Sequence, residues 1–414
     1  MAKTKLGVAR SPQSFGLFRD HETDWAFKRT LEYMNEKAAE IGECLYVARR
    51  IDEANGESWI EEWASLAARV EAFAETSLAQ GHTVSAREAL WRASNYYRTA
   101  EYGCPPDHPR FHELWEKSVE NFHKACPLFT PPIQIIEVPF DGYMLPGYFW
   151  RSADSDATRP TLVAAGGNDS SGEEIVFSSG PAAVQRGYNF FHFEHPGHRG
   201  AVHLYPDCVK RHDYEIPYEA AIDYLETLPG VDGRIALVGY SFGGYVAARV
   251  AVHEKRIKAV IPNSPMIDAF GVAMAAWGGM VSIANRIPAA FLVKMLDWKL
   301  RKKPLLRALR EYNHWTGGAT GMSLEESLEA TKRFVIQRHE LARITCPALA
   351  LVSAREGEVM VRQAEQFYEA ISSPVKKMHV FSLEQDGSDD HCQMDNRARG
   401  NQVMFDWLDK VFER

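Results

Sequence analysis

A serine set between two glycines, in Gly239-Tyr240-Ser241-Phe242-Gly243, is the pattern in this chain best suited to covalent chemistry. Arg234 to Val238 before it read as a short buried strand, and Gly243 to Val250 read as the helix that follows. A Gly-x-Ser-x-Gly bend between strand and helix is a nucleophile elbow: the glycines let the two backbones pass closely, and the serine Oγ projects from a strained turn. Serine is a poor nucleophile at neutral pH, so a histidine must take its proton during attack and return it to the leaving group. A carboxylate must hold that histidine in one tautomer and stabilise the imidazolium. Charge developing on a substrate oxygen needs donors fixed in advance, which backbone N–H groups supply.

The elements that must position such groups follow from periodicity. From about Asp24 to Cys126 the apolar residues recur at helical spacing: Phe27, Leu31, Met34, Ala38 and Ile41 form one stripe, and Trp59, Trp63, Leu66, Val70 and Phe73 a second. Ser85-Ala86-Arg87-Glu88 reads as a capping box opening a third helix, with Gly81 ending the one before, and Phe111, Leu114, Trp115, Val119 and Phe122 mark a fourth. These aromatic stripes are packing surface rather than a cofactor site. After Pro131-Pro132 short strands alternate with helices. Ile133 to Val138 and Tyr143 to Trp150 flank the hairpin signal Phe140-Asp141-Gly142; then come Thr161 to Ala165, Asn189 to Phe193, Arg234 to Val238, Ile257 to Ile261, Ala348 to Val352 and Lys377 to Phe381. Helices near Ala182, at Tyr218 to Thr227, Gly243 to Val252, Val361 to Ile371 and Gln402 to Phe412 separate them. That alternation predicts an α/β fold, a mostly parallel sheet covered on both faces and begun by an antiparallel hairpin. The gap from Ile261 to Ala348 is too long for a crossover and predicts an inserted helical cap, including Ile287 to Leu309 and Leu324 to Arg338. The expected organisation is an N-terminal helical region, 1–130, a core of 131–265 and 345–414, and a cap, 266–344.

The order of the chemical residues resembles that of an α/β-hydrolase, in which nucleophile, acid and histidine follow one another along the chain, the acid after a late strand and the histidine after the last. His391 follows the strand ending near Phe381 and is the best placed of the fifteen histidines. After the strand Ala348 to Val352 the chain offers Glu356 and Glu358. The spacing of Glu356 to the Gln363-Ala364-Glu365 helix favours it, with Glu358 as the alternative. The oxyanion donors are assigned to the N–H of Phe242, directly after the nucleophile, and to one in Gly166-Gly167-Asn168-Asp169, at Asn168.

Gly166 to Glu174, Phe193-Glu194-His195-Pro196-Gly197-His198, Gly239 to Gly244, and Asp386-Gly387 through His391-Cys392 resemble the signatures of the 2,6-dihydroxy-pseudo-oxynicotine hydrolase group. That group also holds the fungal yellowish-green pigment hydrolase, which shortens a heptaketide, and fermentation-respiration-switch-like esterases. The similarity spans most of the chain, helical N-terminal region and cap included. It implies carbon–carbon bond cleavage beside a ketone by a serine triad, no cofactor, and a homodimer. The chain departs from the group in carrying glutamate where aspartate is usual and in placing two extra residues, Ser388-Asp389, before Asp390-His391.

Other features bound the function. A chain of 414 residues, a quarter charged and nearly half apolar, suits a soluble enzyme, and a formal charge of −8 gives no reason to expect nucleic acid or an anionic membrane as partner. Six cysteines without Cys-x-x-Cys pairs indicate reduced thiols and a cytoplasmic setting, Cys392 being structural, and Met1 to Asp20 has no apolar core of a secretory signal. Ala269 to Ala284 is short, interrupted by glycines, and reads as buried protein rather than a membrane span. His195 and His198 sit in a Pro-Gly turn and are expected to face solvent or bond backbone; with His192 they lack an evident acid alongside, so no metal site is expected. Glu173-Glu174 could contact substrate, and a helix-start role favoured by the macrodipole explains them as well. Asp268, after the strand following the elbow, is a candidate substrate contact, as is Trp277, which shares a helical face with Met274 and Met280. The expected site is a closed, largely apolar pocket for a small or medium organic carbonyl compound, aromatic or polyketide-like. The triad serves carbon–carbon cleavage and ester, lactone or thioester cleavage equally, and the third alternative is a binding protein that keeps the fold without turnover.

Overall fold

The computed structural model describes residues 15–153, 157–275, 303–322 and 324–414. The described residues cluster into two compact units: one holds those of Gln13–Ile135 and Ser282–Trp315, the other those of Ile136–Val281 and Thr316–Arg414. Of the described residues of the expected insertion, 303–315 fall in the first unit and 266–275, 316–322 and 324–344 in the second.

The first unit is helical. Its helices are α1 (His21–Leu31), α2 (Ile41–Ala48), α3 (Gly56–Ala79), α4 (Thr83–Tyr102) and α5 (Phe111–Ala125), joined by the helix Pro304–Thr316. Phe27, Trp59, Trp63 and Tyr96 are buried, and their rings form a continuous run with centroids 5.7–6.2 Å apart, the packing role expected of the stripes. Two details differ from the sequence reading. The stripe from Phe27 to Ile41 is broken into α1, a 3-10 turn at Met34–Glu36 and α2, because Lys37 turns left-handed at φ 64°, and Ile41 is exposed. Helix α4 opens at Thr83, two residues before the expected capping box, and Gly81 at φ 76° stops α3 as expected.

The second unit is built on an eight-stranded sheet: β1 (Ile133–Phe140), β2 (Tyr143–Trp150), β3 (Arg159–Ala165), β4 (Asn189–Phe193), β5 (Val231–Tyr240), β6 (Ile257–Asn263), β7 (Ala348–Ser353) and β8 (Lys376–Phe381), in the order β1-β2-β4-β3-β5-β6-β7-β8. β2 runs antiparallel to β4, and every pairing from β4 to β8 is parallel. Asp141 and Gly142 turn the opening hairpin with positive φ at both positions, as a two-residue turn that matches strand twist requires. β4, β6 and β7 are buried almost throughout because helices cover both faces, which is why these strands read as unbroken apolar runs.

Helices α6 (Gly172–Gln185), α7 (Arg199–Leu204), α8 (Glu215–Glu226) and α9 (Phe242–His253) connect the first strands, and Glu358–Ala370 and Arg397–Val411 complete the cover. The register pairs Ala165 with Gly239 and Tyr240 with Asn263, so the chain leaves β3, β5 and β6 at one level, on the carboxyl edge of the sheet. Crossovers of one hand put every functional loop on that edge.

Within the insertion, the expected helix Ile287 to Leu309 lies mostly outside the described residues. The second, expected to run to Arg338, ends at Thr331. Beyond it Val335 bridges Asp268, Ala269 N donates to Phe334 O, and Ile336 N donates to Ile267 O, so pairing replaces the last helical turn.

Candidate active site

β5 ends at Tyr240, and Ser241 alone makes the turn into α9, at φ 57° and ψ −119°. For a non-glycine residue this backbone costs on the order of 1–3 kcal/mol and persists only where its surroundings dictate it. Here Ser241 N donates to Asn263 O at 2.7 Å, and Gly244 N donates to Ser241 O at 2.8 Å. The flanking glycines are steric necessities. A methyl group at Gly239 would lie 1.8 Å from Gly243 O, and one at Gly243 would lie 2.5 Å from Ala165 O.

The loop after β3 packs against this turn. A methyl group at Gly167 would stand 3.1 Å from Ser241 Cβ, so the 166–170 backbone approaches the serine directly. Ser170 holds the loop from inside, its Oγ accepting from Gly167 N at 2.7 Å. Phe242 is the first residue of α9, where backbone N–H groups have no helical acceptor, and Asn168 is half-buried in the facing loop.

Beyond β7, the chain turns so that Glu356 is fully buried while Glu358 stays on the surface, paired with Arg362. Glu356 Oε1 accepts from Ser353 N at 2.9 Å; Oε2 accepts from the Ser264 hydroxyl and from His391 Nδ1, the latter at 2.9 Å. Of the two carboxylates the sequence offered, Glu356 is therefore the one beside the histidine. An Nδ1–H donated to a carboxylate leaves Nε2 as the basic nitrogen. Burial opposes a charge on His391, but the Cys392 sulfur and the Glu356 carboxylate outweigh it and hold the imidazole pKa well above the usual 6.5.

The histidine loop has its own scaffold. The Asp395 carboxylate accepts from Ser388 Oγ at 2.6 Å, Asp389 N at 2.9 Å and Asp390 N at 3.2 Å, which accommodates the two extra residues. Asp390 caps the following turn by accepting from His391 N at 2.8 Å, and Cys392 donates its thiol to Asn263 O, in keeping with a structural role. Gln393 bridges Asn263 and Ser353 beneath.

The remaining candidates fall out differently. Asp268 Oδ1 accepts from Gly271 N at 2.9 Å, and its backbone is clasped by the Gln363 side chain, so its carboxylate caps its own segment. Trp277 and Met280 lie outside the described residues. Glu174 closes a capping box with Ser171 at the start of α6, the helix-start role expected of it. His195 and His198 do not face solvent. Both are buried; His195 bonds backbone as expected, through Nδ1 to Pro196 O at 3.2 Å, whereas His198 bonds Glu194 through Nδ1 and Ser170 Oγ through Nε2 at 3.1 Å. Glu194 is the acid that appeared to be lacking beside these histidines. The pattern His-x-Glu-x3-His was in the sequence, its glutamate standing one residue past the end of β4.

Sequence reasoning missed Ser264 and Lys210. No local pattern marks Ser264; it meets Glu356 only because β6 and β7 are neighbours. Lys210 is buried, donates from Nζ to Thr316 Oγ1 at 2.7 Å and lies 6.0 Å from the Phe242 ring. Burial pushes its pKa from 10.5 down to about 7, against the pull of Asp169.

A strained serine and a histidine–carboxylate pair on one sheet edge are parts that covalent acyl chemistry uses. Comparisons with known proteins place the chain in a hydrolase family. A family model described as serine aminopeptidase, S33, matches residues 161–383, more than half of the chain. Over 407 residues the chain is 27% identical to hydrolase LUC6 of a Fusarium species, covering 94% of this chain and 96% of that one. It is 33% identical over 268 residues to 20-hydroxy-prefusarin hydrolase FUS2 of Gibberella moniliformis, 61% of this chain and 64% of that one. The solved structure of 2,6-dihydroxy-pseudo-oxynicotine hydrolase superposes with a TM-score of 0.71 at 24% identity, covering 92% of this chain and 95% of that one, a likeness of fold.

Proposed function

The chain belongs to this hydrolase family and has the α/β-hydrolase fold, and from that premise we propose that it is a serine hydrolase whose triad is Ser241, His391 and Glu356. The observation that carries the proposal is the pairing of buried Glu356 with half-buried His391, at 2.9 Å, on the same sheet edge as the left-handed Ser241 turn. In the proposed cycle His391 Nε2 takes the Ser241 proton as Oγ adds to a substrate carbonyl. The N–H groups of Phe242 and Asn168 hold the resulting alkoxide. Collapse expels the leaving group, which takes the proton back from His391, and water, activated by the same histidine, releases the acyl group.

For the substrate we propose a small or medium carbonyl compound, polyketide-like or aromatic, cleaved at a carbon–carbon bond beside a ketone. Support comes from the motif resemblance and from the company of 20-hydroxy-prefusarin hydrolase. A carbanion leaving group needs a neighbouring carbonyl or phenol as electron sink, so a β-diketone is the minimal substrate. The insertion 266–344 is the proposed cap, and a cytoplasmic homodimer the proposed form; among the described residues no helix is long and apolar enough to cross a membrane.

A fluorophosphonate probe should label the native protein and fail on Ser241→Ala, whose thermal melt should match the native one. An unlabelled native protein overturns the enzyme in favour of a binder. Product masses from paired β-diketone and ester analogues decide the chemistry. Scission of the diketone supports carbon–carbon hydrolysis, whereas turnover of the ester alone overturns it.

A further inference from the structure

The end of β4 and the turn after it carry a second cluster that the proposed triad does not use. His192, Glu194 and His198 are all buried, at 0%, 3% and 1% exposure, and each offers a ligand atom within 4.8 Å of the other two. The tautomer of His192 follows from its partner. Nδ1 lies 2.8 Å from Ala164 O, and a carbonyl only accepts, so the ring proton sits on Nδ1. Nε2 is then a bare lone pair, buried and without a partner. It lies close to the carboxylate: a methyl group at Gly172 would stand 2.9 Å from Glu194 Oε1 and 3.3 Å from His192 Nε2, and the ligand atoms of the three residues lie within 4.8 Å of one another. A bare lone pair beside a carboxylate in a dry interior is unfavourable unless a cation joins them.

We propose that His192, Glu194 and His198 form a buried site for one borderline divalent cation, zinc first among them, set against the loop 166–172. The donor set suits that choice. Two imidazole nitrogens and one carboxylate oxygen favour zinc and its late first-row neighbours over magnesium or calcium, which seek all-oxygen shells. His192 would bind through Nε2 and His198 through Nδ1, the atom now on Glu194.

Each ligand already has an outer partner that fixes its orientation. Ala164 O accepts from His192, Ser170 Oγ stands 3.1 Å from His198 Nε2, and Gly172 N donates to Glu194 Oε1 at 2.8 Å. The cation would tie the end of β4 to the loop that we propose carries an oxyanion donor. Its role is to fix that loop, with no step of the reaction passing through it.

The test uses the full chain without an affinity tag. After treatment with a chelator and return to metal-free buffer, zinc or cobalt is added and the excess removed by gel filtration. One retained equivalent, a visible d–d absorption of four- or five-coordinate cobalt, and a melting temperature raised by about 5 °C at saturating zinc are expected. His192→Ala and His198→Gln should each lose the retained metal and the melting shift. The glutamine keeps an amide for Ser170, so at least this variant should fold. His112→Ala, which removes an exposed histidine beside Glu116, should leave uptake intact. Failure of the native protein to retain metal, absence of the cobalt band, or uptake that survives both His192→Ala and His198→Gln would overturn the site.

Discussion

At the scale of the residue, the carboxylates separate by what they touch. Glu356 receives hydrogen bonds from Ser353 N, the Ser264 hydroxyl and His391, whereas Glu358 is spent on Arg362 at the surface. Glu356→Gln should therefore lower kcat about 10⁴-fold, the loss known for the orienting carboxylate of a triad, while Glu358→Gln stays within about twofold. Equal effects in steady-state kinetics would remove the assignment. The pH dependence follows from the direction of the His391 shift. A base must be neutral to act, so kcat/KM should rise with pH along a limb centred above 6.5. Replacing Glu356 by glutamine removes a carboxylate charge that favours the imidazolium, and the limb should move to lower pH.

At the scale of the element, the site depends on close passage of β5 and α9. A side chain at Gly239 would meet the carbonyl oxygen of Gly243 at 1.8 Å, and backbone on both sides leaves nowhere to yield. Gly239→Ala should cost about 3 kcal/mol or more, read as a lower denaturation midpoint, and should abolish fluorophosphonate labelling even where the protein stays folded. A variant with native stability and labelling would show that strand and helix separate more freely than their packing indicates. The elements themselves were legible to the extent that they are periodic. The strands of the sheet and the helices after Tyr218 and Gly243 were found, because buried apolar runs and amphipathic stripes are local signals. The helix expected through Arg338 was overrun because residues 334–336 pair with 267–269, a contact between segments some 67 positions apart that no window contains. The capping box at Ser85 had the right letters two residues too late.

At the scale of the whole molecule, stability carries the mark of a buried cation. Lys210 has a pKa of about 7 in the fold and 10.5 when exposed, so between those values the unfolded chain holds a proton that the folded one has released. Its contribution to stability must rise with pH across that window, and below pH 7 the cost of burying the charge is fully felt. Lys210→Met should melt higher than the native protein at pH 7, with the difference closing as pH approaches 10.5. A difference in melting temperature that does not change with pH would place the ammonium in a more hydrated setting. What the sequence by itself determined is the chemistry available and its order along the chain: a serine between glycines, a glutamate pair after a late strand, a histidine after the last, on an alternation of strands and helices that permits little else. Only the tertiary structure decided which glutamate meets His391, that Ser264 joins them, and that Glu194 lies among three buried histidines. The reason is physical. Alternation and capping are written within one turn or one strand, whereas hydrogen bonds between residues 92 or 35 positions apart exist only once parallel strands have brought their carboxyl ends to a common edge.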